Sequence, residues 1–499
     1  MRRNEILNRA AGSIAPAVAA LSLICSADAK AQPDFTPMAS YNTYIPTPFY
    51  TEEYYAADLA TGDFIGASAN AIDGYQDVAV FSGPLGVGPF DPYPASTFTS
   101  RITLFRNTQN WGTGGAPTAA LSSYTTQPTV VVCTDCFAGE VTFAHMNNDT
   151  NLDLVATSTT LAGDGQVHVM LWNTLTNQFN PPITFTGGGS SLPPVQAFGI
   201  GDFDGDGVND IVAAVHRDAI PAGTGDAFDI DTVYRLKNIN VGGSYGYLQR
   251  ITPDVAVTGT SGQADETSGE IVVGEFNTLM GLPGSVRPDF ITAEEFEPTL
   301  SVGSGSGSFG FGLQNQPASF PCGNVSSLAG LSYNSMAAGN IDAGSTLDLV
   351  GAISSGPYVY ALKGDGRGRL FPVCDCSGNF ASETYMGINP TCPASSNAPR
   401  NIGDYFVTLG YINDDTNIDI VLADAGSPTT ERYVSIAFGN GDGTFSIGTD
   451  CAYWMEYANA LAVGPKDRVV TANMDNTGHD EILVLASWEN SLVVFKNND

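Results

Sequence analysis

The chain has 499 residues, 43% of them hydrophobic, with 56 glycines, 29 prolines and a formal net charge of −33. Glycine and proline punctuate it too often for long helices, so an all-β fold is expected. A carboxylate excess of this size repels nucleic acid phosphates and anionic lipid, and no nucleic acid partner is expected.

Residues 1–31 have the layout of an export leader. Arg2, Arg3 and Arg9 flank the start of an apolar stretch from Ala10 to Cys25, and small residues end at Ala29-Lys30-Ala31. The stretch falls short of the roughly 20 apolar residues of a membrane span and is broken by Gly12, Ser13 and Pro16, so cleavage is expected. The exported chain, destined for secretion, the periplasm or the cell surface, would carry a charge of −35 and no span. Next, Asp34 to Tyr44 reads as a fourth strand without a unit of its own. The last unit lacks a fourth strand, so the 32–53 segment is expected to close it by pairing Asp34 to Tyr44 with Leu492 to Phe495.

From residue 54 to 499 a short acidic turn feeds an apolar strand seven times. Two copies carry insertions: Gly62-Asp63-Phe64 is parted from Asp73 to Asp77, and Gly274-Glu275-Phe276 from Pro288-Asp289-Phe290. The second runs through Asn147, Asp149, Asn151 and Asp153, and the third through Asp202, Asp204, Asp206, Val208 and Asp210. The fifth reaches from Asn340 to Asp348, the sixth holds Asn413, Asp415, Asn417 and Asp419, and the seventh Asn473, Asp475 and Glu481. The last acids recur about every 67 residues, and only strand-type segments stand between them. That period, longer than a solenoid unit, points to propeller blades. Each unit reads as four strands, the third clear at Tyr358 to Leu362 and Tyr433 to Phe438.

Seven cysteines follow the leader: Cys133, Cys136, Cys322, Cys374, Cys376, Cys392 and Cys451. In an exported chain they are expected as disulfides with one left over. Zinc at the Cys133/Cys136 and Cys374/Cys376 pairs is the weaker reading, because the pairs lie far apart in sequence and no histidine knuckle accompanies them.

The Gly201 to Asp210 loop and the Gly439-Asn440-Gly441-Asp442-Gly443-Thr444-Phe445 turn resemble the FG-GAP or VCBS-type repeats of integrin α-subunit propellers and many secreted bacterial proteins. The resemblance implies a seven-bladed β-propeller of four-stranded blades with calcium in the loops between first and second strands. In the third loop Asp202, Asp204, Asp206 and Asp210 would offer carboxylate oxygens and Val208 its carbonyl, with Gly205 and Gly207 allowing the bend. This loop is expected to bind calcium most strongly. Asn147, Asp149, Asn151 and Asp153 would form a second site, Asn413, Asp415, Asn417 and Asp419 a third, and Asn473, Asp475 and Glu481 the weakest. In the fifth unit Gly344, and in the seventh Thr477, replaces the central acid.

His145, His168, His216 and His479 are scattered, and no nucleophile motif or HExxH spacing is present. The expected function is that of a secreted, calcium-stabilised binding or adhesion module for an extracellular protein or glycan. The rival is a polysaccharide-cleaving enzyme or phospholipase on the same scaffold, whose mark would be titratable groups converging over the central channel. Carboxylates such as Glu294, Glu295 and Glu297, and aromatics such as Trp111, Tyr245-Gly246-Tyr247 and Tyr453-Trp454, read more simply as solvated loop and packing.

Overall fold

The computed structural model describes residues 35–42, 54–64, 73–84, 99–111, 120–187, 191–215, 231–241, 244–257, 267–276, 287–294, 299–304, 308–311, 333–342, 344–353, 358–367, 370–373, 383–385, 405–424, 432–447, 454–458, 468–486 and 491–498. The chain divides into Met1–Lys30 and Ala31–Asp499, and every described residue lies in the second unit. The expected leader therefore lies outside the described residues, as do Cys322, Cys374, Cys376, Cys392, Cys451 and His216.

The described residues form strands and turns, all sheet pairing being antiparallel. Among them are seven sheets of four or five strands. The first sheet runs Tyr54–Gly62, Asp77–Pro84, Thr99–Asn107 and Leu121–Ser123, with Thr129–Thr134 also on its third strand. The second runs Cys136–Ala144, Asp153–Thr160, Gly165–Met170 and Ile183–Phe185, and a ribbon of Trp172–Asn173 and Gln178–Phe179 stands beside it in sequence. The third is Val195–Gly201, Asp210–Val215, Asp231–Val241 and Ser244–Val257; the fourth is Thr267–Gly274, Asp289–Glu294, Thr299–Ser304 and Ser308–Phe311. The fifth begins Tyr333–Gly339, Asp348–Ile353 and Tyr358–Gly364, and the sixth Tyr405–Gly410, Asp419–Asp424 and Arg432–Gly439. The seventh is Arg468–Ala472, Glu481–Ala486 and Ser491–Asn497. Its fourth strand is Phe35–Asn42 from the other end of the chain, in a register that runs from Phe35 opposite Asn497 to Asn42 opposite Ser491.

The expected fourth strand is broken in three sheets. In the first, Leu121–Ser123 covers Phe105–Asn107 while Thr129–Thr134 covers Thr99 to Thr103, and the chain bulges out between Tyr124 N, which donates to Leu104 O at 2.9 Å, and Pro128 O, which accepts from Leu104 N at 3.0 Å. The fifth splits the same way into Leu370–Pro372 and Glu383–Tyr385, and the sixth into Phe445–Ile447 and Trp454–Ala458. An outer strand packs on one side only, so a break there costs less than one inside the sheet.

Second strands are different. Asp77–Pro84, Asp210–Val215 and Glu481–Ala486 are buried at every position. They read as continuous apolar runs because a sheet packs on each face. The packing is cyclic. One apolar cluster lies between each sheet and the next, with Ile102, Leu104, Val141 and Leu154 between the first and second sheets and Val421, Ile436, Ile482 and Val484 between the sixth and seventh. A seventh cluster joins Val78, Val80 and Phe105 of the first sheet to Leu483, Leu485 and Val494 of the last. First strands also lie side by side in chain order, and Tyr54–Gly62 touches both Cys136–Ala144 and Arg468–Ala472.

Candidate functional site

Each acidic loop joins a first strand to a second, so antiparallel pairing brings all of them to the same end of their sheets. Asp77, Asp153, Asp210, Asp289, Asp348, Asp419 and Glu481, the last acids, are between 0% and 5% exposed. Their place in the hairpin explains why. One oxygen takes the N–H at the start of the loop: Asp153 Oδ2 accepts from Met146 N at 3.0 Å, Asp348 Oδ2 from Ile341 N at 3.0 Å and Asp419 Oδ2 from Ile412 N at 3.0 Å. The other takes an N–H from the third strand or, in the second sheet, from the ribbon just past it: Trp172 N to Asp153 Oδ1 at 2.8 Å, Asn238 N to Asp210 Oδ1 at 2.8 Å, and Gly439 N to Asp419 Oδ1 at 2.9 Å. Glu481 reaches back with Oε2 to Met474 N at 2.7 Å. The repeated acid is thus a buried clamp holding three strands together, and satisfied backbone donors are what make its burial tolerable.

In the third loop Asp202 accepts from the N–H groups of Gly205, Asp206 and Gly207 at 2.7 to 3.0 Å, and Asp206 Oδ1 takes Val208 N at 3.0 Å. Gly205 and Gly207 have φ of 76° and 86°, the left-handed values that glycine adopts without strain. Oxygens of Asp202, Asp204 and Asp210 lie within 4.8 Å of one another. Into this cluster comes a side chain not foreseen from the sequence: Lys237 Nζ donates to Asp204 and, at 2.9 Å, to Asp206 Oδ2. Burial pushes the Asp210 carboxyl up to about 7, helped by Asp204 and Asp206 and opposed by the Asn238 N–H and Lys237. Lys237 is partly desolvated, yet Asp204 and Asp206 hold its ammonium above its ordinary range.

The second and sixth loops are alike. Asp149 N donates to Asn147 Oδ1 at 2.9 Å and Asn151 N to Asp149 Oδ1 at 2.8 Å, matched by Asp415 N to Asn413 Oδ1 at 3.0 Å and Asn417 N to Asp415 Oδ1 at 2.8 Å. Both gather Asn and Asp oxygens on one turn. Burial raises Asp153 to about 6. In the seventh loop Thr477 N donates to Asp475 Oδ1 at 3.1 Å, Lys496 Nζ stands 3.8 Å from Asp475 Oδ2, and burial pushes Glu481 up to about 8 with Asp475 adding to it. Glu481 Oε1 and Asn473 Oδ1 are buried without a hydrogen-bond donor.

The loops are tied into a belt. Asn107 Nδ2 donates to Met474 O at 2.7 Å, Asn238 Nδ2 to Met146 O at 2.7 Å and Asn497 Nδ2 to Ile412 O at 2.6 Å, each crossing to the preceding sheet, the first sheet following the seventh. These asparagines follow Arg106, Lys237 and Lys496, so a basic-Asn dipeptide in the third strand is the sequence signal of the tie.

A second convergence lies on the first strands. Arg468 faces Asp58 at 3.4 Å, Glu140 at 2.6 Å and Glu270 at 3.4 Å, joining the seventh sheet to the first, second and fourth. The second oxygen of each acid takes a backbone donor: Val141 N on Asp58, Phe198 N on Glu140 and Met336 N on Glu270. Burial opposes the guanidinium charge, but the three carboxylates outweigh it and raise Arg468 above its ordinary range.

Among the histidines, His168 is buried, with Nε2 2.8 Å from Ser158 Oγ and Nδ1 2.9 Å from Thr184 Oγ1, and burial lowers it to about 4. His145 Nδ1 lies 2.8 Å from Asn151 O, and His479 Nε2 lies 3.2 Å from Asp414 Oδ1. Cys133 and Cys136 form a disulfide between the first and second sheets. Trp111 and Tyr245 are buried in the packing between sheets, whereas Tyr247 is exposed.

Residues 145–213, spanning the second and third acidic loops, match the FG-GAP-like repeat family model. No curated protein matches the sequence. Among solved structures the chain is similar to one described as the Dos1 propeller, at 10% identity over 93% of this chain and 95% of that one, with a TM-score of 0.42.

Proposed function

We propose that this FG-GAP-like repeat protein is an exported seven-bladed β-propeller that takes calcium in acidic rim loops and serves as an extracellular binding module for a protein or glycan. The observation that carries the reading is the cyclic run of apolar clusters, each between one sheet and the next and the seventh between last and first. Seven sheets packed in that order act as blades, with the acidic loops along one rim.

The second and sixth loops suit the ion best. Asn147, Asp149, Asn151 and Asp153, and likewise Asn413, Asp415, Asn417 and Asp419, offer hard oxygens gathered on one turn each. The clamp carboxylates accept backbone N–H groups, and a carboxylate oxygen can accept from the backbone and still be shared with a cation. Calcium there would offset the repulsion between carboxylates that burial intensifies. A loop whose coordination is filled by protein oxygens stabilises rather than catalyses. The Cys133–Cys136 disulfide fits an oxidising compartment outside the cytosol.

An enzyme on the same scaffold is the competing reading. The acids that converge on the first strands, Asp58, Glu140 and Glu270, are engaged by Arg468 and by backbone N–H groups, an arrangement suited to locking blades rather than to moving protons. Glycan and protein arrays, run together with a polysaccharide-cleavage assay on the purified chain, test the reading. Saturable binding with the ligand left intact is expected; a new reducing or unsaturated end would overturn it.

A further inference from the structure

One disulfide stands apart from the acidic loops. Cys133 is next to last in Thr129–Thr134, the outer half of the broken strand of the first sheet, and Cys136 opens Cys136–Ala144, the first strand of the second. Ala144, at the far end of that strand, leads to the acidic loop, so the bond lies at the opposite end of the sheets. The two cysteines differ in access: Cys136 is 0% exposed, whereas Cys133 is half-buried and the Thr134-Asp135 turn between them is exposed. Val131, two residues before Cys133, and Leu161, whose N–H holds the turn, are each 48% exposed, so apolar surface adjoins the outer cysteine.

The chain on either side is held without the bond. Cys133 pairs with Ser100 in the ladder, and Val130 and Val132, both 3% exposed, anchor its strand in the core between the sheets. Cys136 pairs with Thr160, its carbonyl accepts from Ser100 Oγ at 2.8 Å, and Leu161 N donates to Asp135 O at 3.2 Å. A crosslink stabilises a fold chiefly by closing a loop in the unfolded chain, and one whose cysteines are 3 apart in sequence closes a very short loop. Asp135 sits at a φ of 55°, where a residue other than glycine is uncommon and costs backbone energy. The bond therefore adds little to the fold, and opening it leaves both strands in place.

We propose that Cys133–Cys136 is a site of reversible thiol exchange, entered at Cys133, rather than a structural staple. This exchange is independent of any metal in the acidic loops. The thiolate of a small external thiol attacks Cys133 Sγ; the sulfur–sulfur bond breaks, and Cys136 leaves as a thiolate that takes a proton from water. A second thiolate attacks the mixed disulfide and releases Cys133, so two external thiols are oxidised to one disulfide as the protein's pair gains two electrons. Burial closes off attack at Cys136, which leaves Cys133 to carry the mixed disulfide.

The test is equilibration of the full chain in glutathione redox buffers without denaturant, read by alkylation and by the mass of the peptide that carries both cysteines. The pair is expected to open where reduced glutathione is in large excess, with the cooperative melting transition kept and lowered by less than about 5 °C. A pair that stays closed in every buffer, or opens only as the chain unfolds, would overturn the proposal. Single variants test the point of entry. With glutathione disulfide as the probe, Cys136→Ser is expected to take up glutathione at Cys133 about tenfold faster, or more, than Cys133→Ser takes it up at Cys136. Equal or reversed rates would contradict entry at Cys133. Should either variant fail to fold, rapid alkylation of the unaltered chain during reduction traps its mixed disulfide: glutathione on Cys133 supports the proposal, and glutathione on Cys136 contradicts it.

Discussion

Arg468 Nη2 lies 2.6 Å from Glu140 Oε1, a contact between the first strands of the seventh and second sheets. The same guanidinium pairs with Asp58 and Glu270, so one side chain ties four sheets together. Replacing it with methionine would leave three largely buried carboxylates without their counter-charge. Arg468→Met is expected to lower the free energy of unfolding by about 3–5 kcal/mol, the usual cost of breaking a buried pair from one side. Guanidinium unfolding measures it, and a loss under about 1 kcal/mol would show that the carboxylates find other partners.

The clamp acids should matter whether or not an ion is near. Asp289 separates the two roles, because its hairpin lacks the acidic run yet its Oδ2 still accepts from Phe276 N at 3.0 Å. Asp289→Ala is expected to cost about 3 kcal/mol, from the loss of charge-assisted hydrogen bonds to buried donors. Urea unfolding should give the same loss in calcium and in chelator. A loss seen only in calcium would tie this acid to metal instead.

The Phe35–Asn42 strand covers the edge formed by Ser491–Asn497. Deleting residues 32–45 removes that ladder and bares an edge that invites pairing between molecules. The melting temperature of the whole chain is expected to fall by about 5–10 °C. Hydrogen exchange adds a check: protection should drop in the first and sixth sheets as well as at Ser491–Asn497, whereas a drop confined to the last strand would mean simple fraying.

His168 sets a pH dependence. Its imidazole is buried between Ser158 and Thr184 and its folded value is lowered to about 4 from an ordinary 6.5. As pH falls below 6.5 the unfolded chain takes a proton that the folded chain refuses, so stability is lost progressively between 6.5 and 4. Between pH 7 and pH 5 the unaltered chain should lose about 2 kcal/mol more than His168→Gln. Equal slopes would show that the imidazole takes up its proton in the folded chain as readily as in the unfolded one.

The repeat was legible because its marker acid is structural. Asp77 to Glu481 recur since every hairpin needs a buried acceptor at one point, and the strands after them read as apolar because sheets cover both faces. The broken outer strands were hidden: Thr129–Thr134 and Trp454–Ala458 carry no period that sets them apart from a continuous strand. Lys237 was hidden for another reason. It lies 27 residues past Asp210, and only the register of the third strand shows that they stand opposite. Likewise, nothing in the sequence around Glu140 or Glu270 points to Arg468, which meets them only because the first strands come together.

Calcium dependence is tested most directly by thermal melting of the full chain in excess calcium and in chelator, alongside an Asp149→Asn, Asp415→Asn variant. An ion bound only by the folded chain at a hundred times its Kd adds about 3 kcal/mol per site. The unaltered chain is expected to melt several degrees lower in chelator, and the variant to melt at one temperature in both. Superimposed curves for the unaltered chain would contradict the account.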